Sequence, residues 1–139
     1  MSHLLDTNVV SALRRLSRAP LSVQAWAGSF IATQSYLSAI TLYELERGTV
    51  LAERSDPGFG RILRTWLEGD IIPAYSARTF PVDAAIARQA AVFAAVRTMQ
   101  LPDALIAATA LVHDLTVVTQ DVGGFAGTGV RLLNPWDLA

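Results

Sequence analysis

Four of the twelve acidic residues in this chain fall at the end of an expected strand or in the first turn of an expected helix. Asp6 ends the apolar run His3-Leu4-Leu5, and Asp121 lies just past the β-branched run Leu115–Thr119. Glu44 falls in the first turn expected of the helix that follows Tyr36–Ile40, and Asp103 directly follows Pro102 at the start of an apolar helix. Carboxylates gathered into a small volume repel one another and raise each other's pKa unless a cation neutralises them. An all-oxygen donor set suits a hard divalent cation such as Mg²⁺ or Mn²⁺. Each acid also has a plainer use. Glu44 and Asp103 would complement a helix macrodipole, Asp6 would cap the helix after it, and Asp121 would serve the turn before the glycines. Taken singly the plainer uses suffice; the shared placement of all four argues for a site.

The elements that must position these acids alternate along the chain. Strands are expected at His3–Leu5, Tyr36–Ile40, Arg78–Val82, Leu115–Thr119 and Val130–Leu133. Helices are expected from Asn8 to about Leu16, Leu21 to Ile31, Leu42 to Arg54, after the turn Ser55-Asp56-Pro57-Gly58 to about Leu67, Asp83 to Arg97, and Pro102 to about His113. The last is apolar on nearly every face, the mark of a buried helix. Strands separated by helices imply right-handed crossovers. The expected fold is therefore a three-layer α/β/α domain with a mostly parallel central sheet, spanning 1–139 as one unit. In such a sheet the C-terminal strand ends and the helix N-termini after them share one edge, where ligands bind. That edge collects Asp6, Glu44, Asp103 and Asp121.

Composition narrows the remaining options. The chain has 139 residues, 52% of them hydrophobic and 17% charged, which excludes disorder and supports a real core. No apolar run approaches the length of a bilayer span, and the start lacks the features of a signal peptide, so a cytoplasmic protein with no membrane partner is expected. Absence of cysteine removes disulfides, thiol nucleophiles and the usual structural zinc sites. His3 and His113 are the only histidines, too few for a His-rich metal site. No glycine-rich loop is followed by Lys, and the glycines at 123–129 lack the dinucleotide fingerprint, so no nucleotide or organic cofactor is expected. The net charge is −1, and all 11 basic residues are Arg. Nucleic acid would therefore be gripped locally, with Arg14, Arg15 and Arg18 as candidates.

The strings around the four acids resemble the PIN domain, specifically the VapC-like ribonuclease toxins of prokaryotic toxin–antitoxin pairs. Leu4-Leu5-Asp6-Thr7-Asn8, with Ser11 shortly after, is similar to the family's opening. Ser38 to Gly48, containing Glu44, is similar to its second motif, Asp103 to Ala110 to its third and Leu115 to Asp121 to its fourth; Asn134-Pro135-Trp136 resembles a frequent ending. The resemblance runs in order along the whole chain. It implies Asp6, Glu44, Asp103 and Asp121 as the acidic, metal-binding and catalytic quartet, with Thr7 and Thr119 as supporting hydroxyls. Two departures stand out: Gln120 where the family often has Arg, and Gly124 where a second Asp would precede Phe125. The latter leaves one carboxylate fewer for a second metal position. Thr98–Leu101 also lacks a Gly expected before the third motif.

The resemblance further implies a Mg²⁺- or Mn²⁺-dependent endoribonuclease, an RNA substrate, a homodimer and a cognate VapB-like antitoxin. Asp6 and Asp103 would take the principal metal-binding roles, Asp121 would assist, and Glu44 would complete the cluster, directly or through water. Leu21, Val23, Trp26 and Phe30 on the early helices would divide between core and antitoxin surface. Two other readings compete. A phosphoryl-transfer enzyme or receiver with an Asp6 nucleophile would need a Lys that this chain lacks, or a second Asp where Asn8 stands. A non-catalytic PIN-like module binding RNA or protein would gain nothing from four bare carboxylates.

Overall fold

The computed structural model describes residues 1–30 and 32–138. Five strands form one sheet: β1 (His3–Leu5), β2 (Ser35–Ser38), β3 (Thr79–Phe80), β4 (Thr116–Val118) and β5 (Leu132–Leu133). All neighbouring pairs run parallel, in the order β3-β2-β1-β4-β5. The connections are helical: α1 (Thr7–Arg14), α2 (Leu21–Ser29), α3 (Ala39–Ser55), α4 (Pro57–Trp66), α5 (Ile72–Tyr75), α6 (Ala84–Val96) and α7 (Leu101–His113). The expected three-layer α/β/α architecture is what forms.

Strand alternation sorts the core into two halves, because successive side chains point to opposite faces. Leu4 pairs with Val117 and Leu5 with Val118 in register. Leu4 and Val117 face Ile86, Phe93, Ile106 and Ala107 of α6 and α7. Leu5, Leu37 and Val118 face Val9, Val10, Trp26, Leu45 and Leu67 on the other side. A buried parallel sheet of short apolar strands requires this cover on both faces.

Polar side chains set where helices begin. Asp6, Ser38, Asp56 and Asp83 each accept a hydrogen bond from a backbone N–H in the first turn of the next helix, satisfying donors that have no intrahelical partner. The cap by Ser38 corrects one expectation. β2 ends at Ser38 and α3 begins at Ala39, rather than at Ile40 and Leu42, so Glu44 lies in the second turn of α3 and not the first. The helix after Pro57 also outruns its expected end near Leu67. It widens into a π turn at Leu67–Ile71 and continues as α5, a local adjustment that accommodates Pro73, which has no N–H to give. The expected end of the second helix at Ile31 lies outside the described residues. In place of the plain loop expected after Asp121, Val122–Phe125 forms a short 3₁₀ turn.

Candidate active site

Strand order alone marks one point on the sheet edge. From β1 the chain passes outward to β2 and β3, then returns to place β4 on the opposite flank of β1. Loops diverge there and open a crevice beyond the carboxyl ends of the strands. Asp6, which follows β1, and Thr119 and Asp121, which follow β4, stand at that switch point. The backbone holds them: Asp6 N donates to Val118 O at 2.9 Å, and Thr119 N to Leu133 O at 3.0 Å.

Asp6 is almost fully buried and is held by short polar contacts. Its Oδ1 accepts from Thr7 N at 2.8 Å, and its Oδ2 from Thr119 Oγ1 at 2.8 Å and Asn8 Nδ2 at 3.3 Å. The Thr119 hydroxyl also accepts from Asp121 N at 3.0 Å and Asn8 Nδ2 at 3.3 Å, coupling the acids after β1 and β4. Thr7 Oγ1 donates to Glu44 Oε1 at 2.6 Å, which ties α3 to the same centre. Asp121 Oδ1 accepts from Gly124 N at 3.3 Å. Asp6 and Asp121 thus also perform the plainer capping roles that the sequence allows.

Asp103 enters from the first turn of α7. A methyl group at Gly124 would lie 2.7 Å from Asp103 Oδ2 and 2.9 Å from Asp121 Oδ2, so these two carboxylate oxygens flank one small space. The bare Cα at Gly124, one of the two departures from the family pattern, is what leaves that space open. The other departure, Gln120, is exposed and contributes its backbone: Gln120 N donates to Asn8 Oδ1 at 3.1 Å, and Gln120 O accepts from Asn134 Nδ2 at 3.4 Å. Gly124→Ala is expected to displace one or both carboxylates and lower divalent-cation affinity at least about tenfold; titration calorimetry with Mn²⁺ measures it.

Electrostatics record the crowding. Burial and then the charges of Asp6, Asp121 and Glu44 push the Asp103 carboxyl up to about 6. Burial also raises Asp6, with a further push from Asp121, against the hydrogen bonds from Thr119, Thr7 and Asn8 that favour its charged form. All four sequence candidates therefore converge. Among the described residues no three acidic or histidine side chains are grouped so that they could hold a metal ion as they stand. The donor set is nonetheless all oxygen and mutually repelling, with two oxygens flanking the space at Gly124, and that chemistry fits a hard divalent cation.

Asn8 is the residue that sequence reasoning underuses. It sits one helical position beyond Thr7 and bridges Asp6, Thr119 and the backbone of Gln120. The Asp-Thr-Asn string is visible, but a bridge across 112 positions to Gln120 leaves no local signal. The Thr119 hydroxyl has three partners inside the protein. Thr119→Val, nearly the same shape, is expected to cost about 1–3 kcal/mol by orphaning buried polar groups, read by urea unfolding. The two histidines lie away from the acids. His3 opens β1, at the strand end opposite Asp6, and His113 closes α7, stacked on Phe80 with ring centroids 3.9 Å apart. The three candidate arginines differ in exposure. Arg14 is half-buried against aromatic rings, while Arg15 and Arg18 are exposed. On the early helices Val23 and Trp26 are core, while Leu21 is exposed.

Comparison with known proteins agrees with this geometry. The PIN domain family matches residues 3–129. Toxin FitB of Neisseria gonorrhoeae is 38% identical over 96% of this chain and 97% of its own. VapC ribonuclease Y4jK of Sinorhizobium fredii is 36% identical over 98% and 99%. The crystal structure of FitAcB from Neisseria gonorrhoeae contains a chain of the same fold, with a TM-score of 0.85 and 37% identity over 98% of this chain and 99% of that one. The chain belongs to the PIN domain family, on its VapC-like branch.

Proposed function

We propose that this protein is the ribonuclease toxin of a toxin–antitoxin pair, an endoribonuclease that depends on Mg²⁺ or Mn²⁺ and is held in check by a cognate antitoxin. The observation that carries the reading is the convergence of Asp6, Asp103, Asp121 and Glu44 at the switch point of the sheet, with Asp103 pushed up to about 6 in part by the other three. The names of the relatives, a toxin and a VapC ribonuclease, support the same activity. Asp6, Asp103 and Asp121 would hold the cation, and Glu44 would complete the cluster. A cation held there would supply neutralisation of the charge that develops on the phosphate and a lowered pKa for the attacking water. Thr119 and Asn8 fix the Asp6 carboxylate by hydrogen bonds, and Thr7 fixes Glu44, so the acids meet the substrate in set orientations.

No helix of the described residues is long and apolar enough to cross a membrane. We place the protein in the cytoplasm, where it would meet RNA, and the whole chain, 1–139, in one nuclease domain that works as a homodimer. Induced expression in a bacterial host tests the toxin reading. Growth arrest with new RNA fragments is expected from the wild type, relieved by the cognate antitoxin, and neither effect from Asp103→Asn. Undisturbed growth at high levels of soluble wild-type protein would reject it.

A further inference from the structure

A second cleft, of about 230 Å³, opens beside the acidic cluster and shares Thr7 and Glu44 with it. Three helices build it, each with one face at helical spacing: Thr7, Ser11 and Arg14 from α1, Glu44 and Gly48 from α3, and Phe59, Leu63 and Trp66 from α4. Residues at i, i+4 and i+7 share a helix face. The cleft therefore runs along α1 for about 10 Å, from the acids at its N-terminus to Arg14 at its last turn. The Arg14 guanidinium lies 5.4 Å from the Phe59 ring centroid and 6.0 Å from that of Trp66. Unlike Arg64, which pairs with Glu46 and Glu53, Arg14 has no ion pair among the described residues.

An aromatic wall, a half-buried unpaired guanidinium and a ring-sized cleft next to a phosphodiester-cutting centre match the parts of one nucleotide. Unstacked bases of single-stranded RNA bind by stacking on aromatic or guanidinium planes, and Arg grips the neighbouring phosphate. We infer that this cleft is a nucleobase subsite, in which Phe59 and Trp66 stack one unpaired base of single-stranded RNA and Arg14 holds the adjacent phosphate. The inference rests on the ribonuclease reading above and adds to it a determinant of substrate choice. Gly48 gives the subsite its room. It stands one turn after Glu44, and a Cβ there meets nothing within 4 Å, so a larger side chain would enter the cleft and leave the helix undisturbed.

The test uses an RNA oligonucleotide that the wild type cuts at one position, with an abasic residue moved through the flanking positions in turn. For the wild type, one flanking position is expected to cost about tenfold or more in kcat/KM when its base is removed. Gly48→Leu and Phe59→Ala are expected to slow the parent oligonucleotide by a similar factor, yet leave the substrate abasic at that position unaffected. Arg14→Gln is expected to flatten the dependence of log affinity on log salt by about 0.7, the loss of one phosphate contact. If every flanking base is dispensable, or Gly48→Leu slows all substrates equally, the subsite is wrong and the ribonuclease reading stands. The subsite is equally wrong if the variants alter antitoxin binding alone. If the wild type cuts no RNA, both fall together.

Discussion

Asparagine in place of Asp6 or Asp103 is expected to reduce RNA cleavage by about a thousandfold or more, with the fold intact. The two effects separate because of what each side chain does structurally. Asp6 caps α1 through Thr7 N, and asparagine caps as well as aspartate, so the start of α1 survives. Its one oxygen serves Thr7 N, and its Nδ2 takes the place of the oxygen that accepts from Thr119 and Asn8, so those two side chains must re-orient. What it loses is the negative charge, the one property a cation site needs from it. Asp103 caps nothing and is pressed by three other acids, so Asp103→Asn removes repulsion and should melt at or above the wild-type temperature in EDTA. Initial rates on a labelled RNA, beside circular-dichroism melts, measure both quantities. Wild-type rates from a folded Asp6→Asn or Asp103→Asn protein would remove these residues from the reaction.

The second large effect concerns pH and cations. A carboxyl raised to about 6 in the folded chain holds its proton where the unfolded chain has already released it. Folded protein therefore binds more protons than unfolded between about pH 4 and 6, and stability must fall as pH rises through that window. The raised Asp6 carboxyl acts in the same direction. For a half-buried group such as Asp103, solvent screening leaves about 1 kcal/mol, or about 4 °C in melting temperature for a chain of this size. In EDTA the melting temperature is expected to drop by that amount from about pH 4 to pH 7, and Asp103→Asn should flatten the drop. Millimolar Mn²⁺ at about pH 7 is expected to reverse it, with a rise that grows with cation concentration and is absent in Asp103→Asn. A wild-type melting temperature indifferent to Mn²⁺ at neutral pH would argue against a cation among these carboxylates.

The parts of this protein legible in its sequence are those governed by local periodicity. Leu4 and Leu5, and Val117 and Val118, read as buried strands because both faces of a parallel sheet are covered, and the four acids stand out because each falls at an expected strand end or helix start. Where a capping side chain competes with apolar pattern, the pattern misleads. Tyr36–Ile40 looks like a strand throughout, yet Ser38 accepts from Ile40 N and starts the helix three residues early, moving Glu44 to the second turn. Long-range contacts leave no trace. Nothing local to Asn8 announces a bridge to Gln120, and nothing near Gly124 announces that its missing side chain makes room between Asp103 and Asp121. Phe59 and Trp66 have the spacing of an ordinary amphipathic helix. Only the packing of α4 against α3 brings that face near Arg14 of α1.

Cleavage of purified RNA in vitro bears most directly on the acids as a cation-dependent nuclease centre. Antitoxin-free protein should be incubated with total cellular RNA, and in parallel with single-stranded DNA, in Mg²⁺, in Mn²⁺ and in EDTA, alongside Asp6→Asn. Discrete RNA fragments that require the cation and vanish with Asp6→Asn are the expected result. Folded wild-type protein that leaves RNA intact in either cation, or cuts it equally well in EDTA, would contradict it.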